Sequence, residues 1–174
     1  MSDQLFYPVE VAGVKRLLRL MEVAPGVRIA VLNILGDTEL VHASAKELVK
    51  LLPAGTQVLV TAEAKSIPLA YALSVESGLP YIVLRKSYKP YMGHALEAET
   101  LSITTGKPQT LFLDEKDRAA IQGQHVVLVD DVISTGSTLQ GMKLIMDKAG
   151  AVVIGDLAIF TEGDRAKWKN VIAL

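Results

Sequence analysis

Apolar residues fall into two patterns that alternate along this chain. Short continuous runs, typical of strands buried on both faces, occur at residues 28–32, 57–61, 80–84, 126–129 and 151–160. Apolar residues at helical spacing occur between or after these runs, at 42–52, 67–77 and 138–148. Because the connections are short, this order predicts an α/β fold in which a central parallel sheet of about five strands is flanked by helices.

Both ends of the chain add smaller pieces to this pattern. The first 26 residues predict a short helix that ends at Pro25 and Gly26, and its apolar residues at helical spacing are Val11, Val14, Leu17, Leu18 and Met21. The residues up to Leu174 form a further apolar run. We therefore expect a last strand there and a short C-terminal continuation beyond it.

Residues 87–108 break the alternation. The stretch 87–94 has no sustained helix or strand period, whereas 100–105 is rich in β-branched residues. We predict a mobile excursion followed by a hairpin, with its turn at 106–108 and its return strand at 109–113. Long excursions within a compact domain often act as lids over a ligand.

The segment 126–138 carries the most chemistry. Its apolar strand is followed by two adjacent carboxylates, Asp130 and Asp131, and then by a hydroxyl-rich loop at 134–138 that opens a helix. Backbone N–H groups at a helix N-terminus bind anions, and carboxylates suit sugar hydroxyls or hydrated Mg²⁺. A buried strand followed by a capped helix is the simpler alternative, but two carboxylates at the end of an apolar strand are costly. The segment therefore predicts a sugar-phosphate site.

These thirteen residues resemble the phosphoribosyl pyrophosphate (PRPP) signature of the type I phosphoribosyltransferases, which is four hydrophobic residues, two acidic residues and a short Thr-Gly-rich loop. The resemblance implies that Asp130 and Asp131 face the ribose hydroxyls. The residues that it implies for the 5′-phosphate are Ser134, Thr135, Gly136, Ser137 and Thr138. It also implies a single domain over 1–174 with the type I phosphoribosyltransferase fold, a small hood to which 1–36 partly contributes, a mobile lid at 87–108 and a homodimer.

Two more loops are predicted to hold pyrophosphate. Ala64, Lys65 and Ser66 follow the second strand and precede a helix, so a cation, a hydroxyl and backbone amides lie together there. The resemblance implies a cis peptide bond at Ala64–Lys65. Arg85 and Lys86 end the third strand and match an Arg-Lys pair in the family, and Lys89 follows in the presumed lid. The catalytic residues implied are Asp130, Asp131, Lys65 and Arg85.

The nucleobase pocket is predicted only through the resemblance. Adenine enzymes of the family carry a Glu in the strand after the lid, where this chain has Thr104, and the stretch 102–106 is closer to xanthine enzymes and purine-repressor domains. Leu32 and Asn33 are similar to the xanthine pattern, and Phe160 and Glu162 lie where family members line the base pocket. Adenine and xanthine, hypoxanthine or guanine all remain open as the base.

Composition narrows the function classes. The formal net charge of −1 argues against general nucleic-acid binding, and the absence of cysteine excludes thiol nucleophiles and zinc–thiolate sites. Neither a Gly-x-Gly-x-x-Gly nor a Gly-Lys-Ser/Thr loop is present. No apolar stretch approaches the roughly 20 residues of a membrane span and no signal-like segment is recognisable, so we expect a cytoplasmic protein without membrane contact.

The prediction that combines these signals is a purine phosphoribosyltransferase. It would form a nucleoside 5′-monophosphate and pyrophosphate from a purine base and PRPP. Mg²⁺ would be the cofactor, held mainly through the substrate, with Asp130 and Asp131 as candidate ligands. Two alternatives remain, a non-catalytic PRPP- or nucleotide-sensing domain and an orotate or uracil phosphoribosyltransferase. A sensor of this fold normally needs a DNA-binding domain, which the first 26 residues are too short to supply.

Overall fold

The computed structural model describes residues 5–101 and 108–174. The strands are β1 (Phe6–Val11), β2 (Val14–Ala24), β3 (Val27–Val31), β4 (Val58–Ala62), β5 (Tyr81–Leu84), β6 (Leu96–Leu101), β7 (Pro108–Leu113), β8 (His125–Ile133), β9 (Val152–Thr161) and β10 (Val171–Ala173). The helices are α1 (Thr38–Leu48), α2 (Ile67–Ser77), α3 (Glu115–Ile121) and α4 (Ser137–Ala149). Short 3₁₀ turns cover Val49–Leu51, Pro90–Met92 and Arg165–Trp168.

The central sheet has the strand order β10-β9-β8-β4-β5, and each neighbouring pair in it is parallel. Its middle strand, β8, is buried on both faces. Val126 and Leu128 pack on the side of α4 and the β6–β7 hairpin, whereas Val127 and Val129 pack on the side of α1 and α2. The predicted five-stranded parallel sheet flanked by helices is confirmed.

The N-terminal segment is an antiparallel sheet of order β1-β2-β3, so the helix predicted over the first 26 residues is wrong. Ala12 and Gly13, with φ of 52° and 76°, form a two-residue turn between β1 and β2. Along β2, Val14, Arg16 and Leu18 are less exposed than the residues between them, which is the period of a strand. The strand predicted at 28–32 exists as β3, but it belongs to this smaller sheet.

Three element boundaries differ from the predictions in ways that affect the site. Helix α1 begins at Thr38, four residues earlier than predicted, because the carboxylate of Asp37 caps it by accepting from the Leu40 amide. Helix α3 was not predicted, since it is short and Ile121 is its only buried residue. Strand β8 runs to Ile133, so Asp130 and Asp131 lie within the last residues of the strand instead of after it.

The predicted hairpin is present as the antiparallel pair β6 and β7. Thr104 and the rest of 102–107, where the turn was predicted, lie outside the described residues. Between β5 and β6 the chain is anchored by Met92, whose side chain is buried. The apolar run at the C-terminal end forms β10, as expected. None of the helices in the described residues is long and apolar enough to cross a membrane.

Candidate active site

Asp130 and Asp131 lie near the carboxyl end of β8, in the centre of the sheet. Asp131 is only 4% exposed, and its backbone N–H donates to Oδ1 of Asp130 over 2.9 Å. Burial raises the pKa of Asp130 to about 6, the hydroxyl of Ser66 opposes that shift, and the charge of Asp131 adds to it. The two adjacent acids therefore place one or two negative charges in a sheltered position at the edge where ligands bind in parallel sheets.

The loop before α2 contacts both carboxylates. The hydroxyl of Ser66 donates to Oδ1 of Asp130 over 2.6 Å and accepts from the Asp131 amide over 3.2 Å. Ser66 is the N-cap residue of α2, but its side chain makes no capping hydrogen bond and is 3% exposed. Its hydroxyl, predicted to bind pyrophosphate, is therefore committed to the acidic pair in this arrangement.

Lys65 is the cation of the same loop. Its ammonium group lies 3.3 Å from Oδ2 of Asp131, and half of its side chain is exposed. That carboxylate oxygen is buried and has no hydrogen-bond partner among the described residues. A cation that is paired but half exposed is able to turn towards an incoming anion, which leaves Oδ2 of Asp131 free for a hydroxyl or a metal ion.

A cavity of about 200 Å³ lies beside Asp130 and is formed mainly by the loop between β8 and α4. The residues that line it are Gln109, Asp130, Val132, Ile133, Ser134, Thr135, Gly136, Ser137, Thr138 and Leu139. The hydroxyls of Thr135 and Ser137 lie 3.0 Å apart, and α4 begins here without a side-chain cap. The Ser137 amide donates to the Thr135 hydroxyl over 3.4 Å, so the amides of Thr138 and Leu139 are the ones left for an anion such as the predicted phosphate.

Trp168 packs over this loop and was not predicted from the sequence. A Cβ atom built on Gly136, whose φ is +78°, would lie 3.0 Å from the Trp168 ring. The indole N–H donates to the carbonyl of Glu162 over 2.8 Å, and the Glu162 amide donates to Ile133 over 2.9 Å. The only available signal was that Trp168 is the single tryptophan of the chain.

Arg85 is held by two neighbours. Its guanidinium forms an ion pair with Glu63 at 3.0 Å and donates to the Tyr91 hydroxyl over 2.8 Å. Burial opposes ionisation of Glu63, but the hydrogen bond from the Lys86 amide and the contacts with Arg85 outweigh it, so the pKa of Glu63 is lowered. Glu63 was missed because its partners lie on the next strand of the sheet, more than 20 residues away in sequence.

The remaining pyrophosphate candidates surround that ion pair. The side chain of Lys86 is exposed, and Lys89 is half-buried with its charge close enough to favour the ionised form of Glu63. The cis peptide bond is at Glu63–Ala64, so the prediction of Ala64–Lys65 is wrong by one residue. A family resemblance identifies the loop but does not determine which of its peptide bonds is cis.

The base-pocket candidates are not brought into one cavity within the described residues. Leu32 is buried in the core against α1 and α2, and Phe160 packs partly against the same cluster. Asn33 is exposed and accepts from the Leu35 amide over 3.2 Å. The side chain of Glu162 is exposed, and its backbone N–H is bonded to Ile133 next to the loop between β8 and α4.

Comparison with known proteins identifies the family. A model of the phosphoribosyl transferase domain matches residues 31–172. The hypoxanthine/guanine phosphoribosyltransferase of Ferroglobus placidus is 30% identical over 131 residues, which are 75% of this chain and 66% of that protein. The corresponding protein of Methanococcus voltae is 30% identical over 135 residues, covering 77% and 68%. The chain thus matches about two thirds of the length of these relatives.

Solved structures agree at the level of the fold. Adenine phosphoribosyltransferase of Thermoanaerobacter pseudethanolicus has a TM-score of 0.71 at 21% identity, covering 90% of this chain and 92% of that one. The Trypanosoma brucei enzyme, in complex with AMP, pyrophosphate and ribose-5-phosphate, has a TM-score of 0.67 at 18% identity, covering 98% and 74%. With the family model, the 30% identical relatives and this fold in agreement, the chain belongs to the phosphoribosyltransferase family.

Proposed function

We propose that this protein is a purine phosphoribosyltransferase, which forms a nucleoside 5′-monophosphate and pyrophosphate from a purine base and PRPP. The observation that carries the proposal is the pair of partly buried Asp130 and buried Asp131, which lies between a hydroxyl-lined cavity and the cationic loop at Lys65. A ligand with a phosphate at one end, a sugar in the middle and a pyrophosphate at the other end fits that order of groups.

In this reaction a purine nitrogen bonds to C1 of the ribose as the bond from C1 to the pyrophosphate oxygen breaks, and the purine loses a proton. Positive charge grows on the sugar and negative charge grows on the leaving pyrophosphate. Asp130 and Asp131 hold the ribose hydroxyls and stabilise the sugar cation. The residues at 134–138 hold the 5′-phosphate. Catalysis is then mainly positional and electrostatic, and it needs no protein nucleophile.

Lys65 is the cation best placed to receive the leaving group. It pairs with Asp131 at 3.3 Å before the ligand binds and has the exposure needed to turn towards pyrophosphate. Lys86 and Lys89 add positive charge at the next strand end, and the backbone of Ala64 belongs to the same loop. The ion pair with Glu63 fixes the position of the Arg85 guanidinium. This contact limits how far Arg85 can extend towards the pyrophosphate. Its contact with pyrophosphate remains a prediction.

Magnesium fits this site as an ion held chiefly by the substrate. The described residues contain no cluster of three or more acidic, histidine or cysteine side chains that would hold a metal alone. They do offer Oδ2 of Asp131 next to Asp130, an oxygen whose one contact among the described residues is the ion pair with Lys65. Mg²⁺ is typically bound by one or two carboxylates together with substrate oxygens. When bound, the ion would neutralise charge on the departing pyrophosphate.

The choice of a purine rests on the relatives and not on the base-pocket residues. The hypoxanthine/guanine names belong to relatives at 30% identity, and the adenine names belong to structures at about 20%. We therefore favour a 6-oxopurine as the base. A homodimer stays an implication of the family resemblance, and a cytoplasmic location stays a prediction from the sequence.

A base panel tests this proposal. Protein, PRPP and Mg²⁺ are incubated separately with adenine, hypoxanthine, guanine, xanthine, orotate and uracil, and pyrophosphate release is followed. We expect turnover with one or more purines and none with the pyrimidines. Preference for orotate or uracil would replace the proposal with the pyrimidine alternative. Tight PRPP binding by calorimetry without turnover on any base would make the protein a sensor.

A further inference from the structure

Gln109 is the residue in the lining of the anion cavity that comes from a different part of the chain. The other lining residues within the described part lie between Asp130 and Leu139, whereas Gln109 is the second residue of β7 in the hairpin. Nothing in the sequence singles it out, because it begins the predicted return strand directly after the predicted turn.

The face of β7 on which Gln109 lies points inward. Side chains alternate between the two faces of a strand, so Gln109 shares its face with Leu111 and Leu113. These two leucines are 1% and 0% exposed and belong to the core cluster beside α4. The strand therefore presents two apolar residues to the core and then, at the end near the phosphate loop, a primary amide to the cavity.

The hairpin is seated closely against the helix that carries the phosphate loop. Gly141 lies one turn into α4, and a Cβ atom built there would be 3.1 Å from Leu111 and 3.3 Å from Thr100. Thr100 is the cross-strand partner of Gln109, and its hydroxyl donates to the Gln109 carbonyl over 3.4 Å. The backbone at Gln109 is thus held at a defined position relative to the first turn of α4.

We infer that Gln109 is a ligand-binding residue that donates a hydrogen bond from its amide to the 5′-phosphate, from the side opposite the loop at 134–138. This inference rests on the proposed function and extends it to the hairpin. The amide adds two neutral donors to the hydroxyls and backbone N–H groups of the loop. It places no charge beside Asp130, where a lysine or arginine would form an ion pair instead of binding the ligand. The phosphate is then bound by two separate elements, the loop at 134–138 and the β6–β7 hairpin.

Calorimetric titrations with ribose 5-phosphate and with inorganic pyrophosphate test this inference without relying on turnover. The variants are Gln109→Ala and Gln109→Glu, with Gln122→Glu as a matched charge control. Gln122 is exposed and lies near Gly150 just beyond the C-terminal end of α4, the end opposite the phosphate loop. Thermal unfolding of each variant accompanies the titrations.

We expect Gln109→Ala to weaken ribose 5-phosphate binding by at least about tenfold, because a donor to a charged group is lost. Gln109→Glu should weaken it further, because a like charge is added as well. Pyrophosphate binding should stay unchanged in both, and Gln122→Glu should bind both probes as the wild type does. Unchanged ribose 5-phosphate binding by Gln109→Glu, or an equal loss of both probes, would overturn the inference.

The same titrations, together with the turnover measured in the base panel, separate this inference from the proposed function. A wild-type protein that binds ribose 5-phosphate through Gln109 but turns over no purine would refute the enzyme and leave the phosphate contact standing. A wild-type protein that does not bind ribose 5-phosphate at all would refute both.

Discussion

At the scale of single residues, the site depends on contacts between segments that are distant in sequence. Ser66 joins the loop before α2 to the acidic pair on β8, which lies 64 residues further along the chain. The hydroxyl supports the ionised form of Asp130 against the effect of burial. We therefore propose that Ser66 is a positioning residue for Asp130, the carboxylate that the proposed function places against the ribose.

The expected result of Ser66→Ala is a fall in kcat of roughly 10- to 100-fold with a smaller change in KM for PRPP, because a lost hydrogen bond to a charged group costs on the order of 1.5–3 kcal/mol. Ser66→Thr keeps a hydroxyl and should recover part of the rate. Ser74→Ala is the matched control, since Ser74 lies in α2 away from the acids and its hydroxyl donates to the Leu79 carbonyl just beyond the end of that helix. Steady-state kinetics measures all three, and equal losses in the Ser66→Ala and Ser74→Ala variants would show a purely structural role.

The residue scale also shows what could be read from the sequence. Asp130 and Asp131 were predicted because charge next to an apolar strand is a local signal. The roles of Glu63, Trp168 and Gln109 were not predicted, because each depends on a partner from another strand or turn. Single polar residues without a motif around them are recognised as site residues only when the sheet brings distant segments together.

At the scale of elements, regular strands and helices were predicted well where apolar residues dominate. Strands β4, β5, β8 and β9 and helix α2 are buried enough for their period to be clear. The N-terminal sheet was misread because apolar residues at 11, 14, 17, 18 and 21 satisfy helical spacing, while the Ala12-Gly13 turn that makes the hairpin has no strong sequence signal. Patterns of period 2 and 3.6 overlap over short stretches.

The loop between β8 and α4, which we propose binds the 5′-phosphate, is sensitive to substitution at Gly136. Gly136→Ala places a Cβ atom at a positive φ and about 3.0 Å from Trp168, so both backbone strain and a steric clash are introduced. We expect a loss of roughly 1–3 kcal/mol in the free energy of unfolding and weaker ribose 5-phosphate binding.

Gly26→Ala provides the control for that substitution. Gly26 also has a positive φ, of +74°, but a Cβ atom there would meet nothing within 4 Å. Its variant should lose only the backbone contribution, about 1 kcal/mol, and keep full ligand affinity. Urea unfolding and calorimetry measure both effects, and identical behaviour of the two variants would contradict the role assigned to Trp168.

At the scale of the whole molecule, Arg16 adds a polar link between the N-terminal sheet and the start of α1, beside the apolar packing of Val11 and Val14 against the core. Arg16 on β2 makes two hydrogen bonds of 2.8 Å to the carboxylate of Asp37 and one of 2.8 Å to Glu39. Asp37 also caps α1, so the same carboxylate orders the helix and receives the sheet. The hydrogen bonds from Arg16 lower the pKa of Asp37.

Arg16→Ala should therefore destabilise the protein in a pH-dependent way. A carboxylate whose pKa is lower in the folded state contributes stability above its unfolded pKa, near 4, and loses it as pH falls below that value. We expect the difference in unfolding free energy between wild type and variant to be largest near pH 7 and to shrink below about pH 4. Urea unfolding at several pH values measures it, with Arg19→Ala, on the exposed face of β2, as control. A difference that is the same at all pH values would exclude the Asp37 linkage.

The most direct test of the central claim is phosphorus NMR of a mixture of PRPP, Mg²⁺ and the purine favoured by the base panel. For the wild type we predict that PRPP disappears as pyrophosphate and a nucleoside 5′-monophosphate appear in equal amounts. For Asp131→Asn we predict a rate lower by on the order of 100-fold in a protein that still unfolds cooperatively. Unchanged PRPP, or its hydrolysis to ribose 5-phosphate without incorporation of the base, would contradict the account.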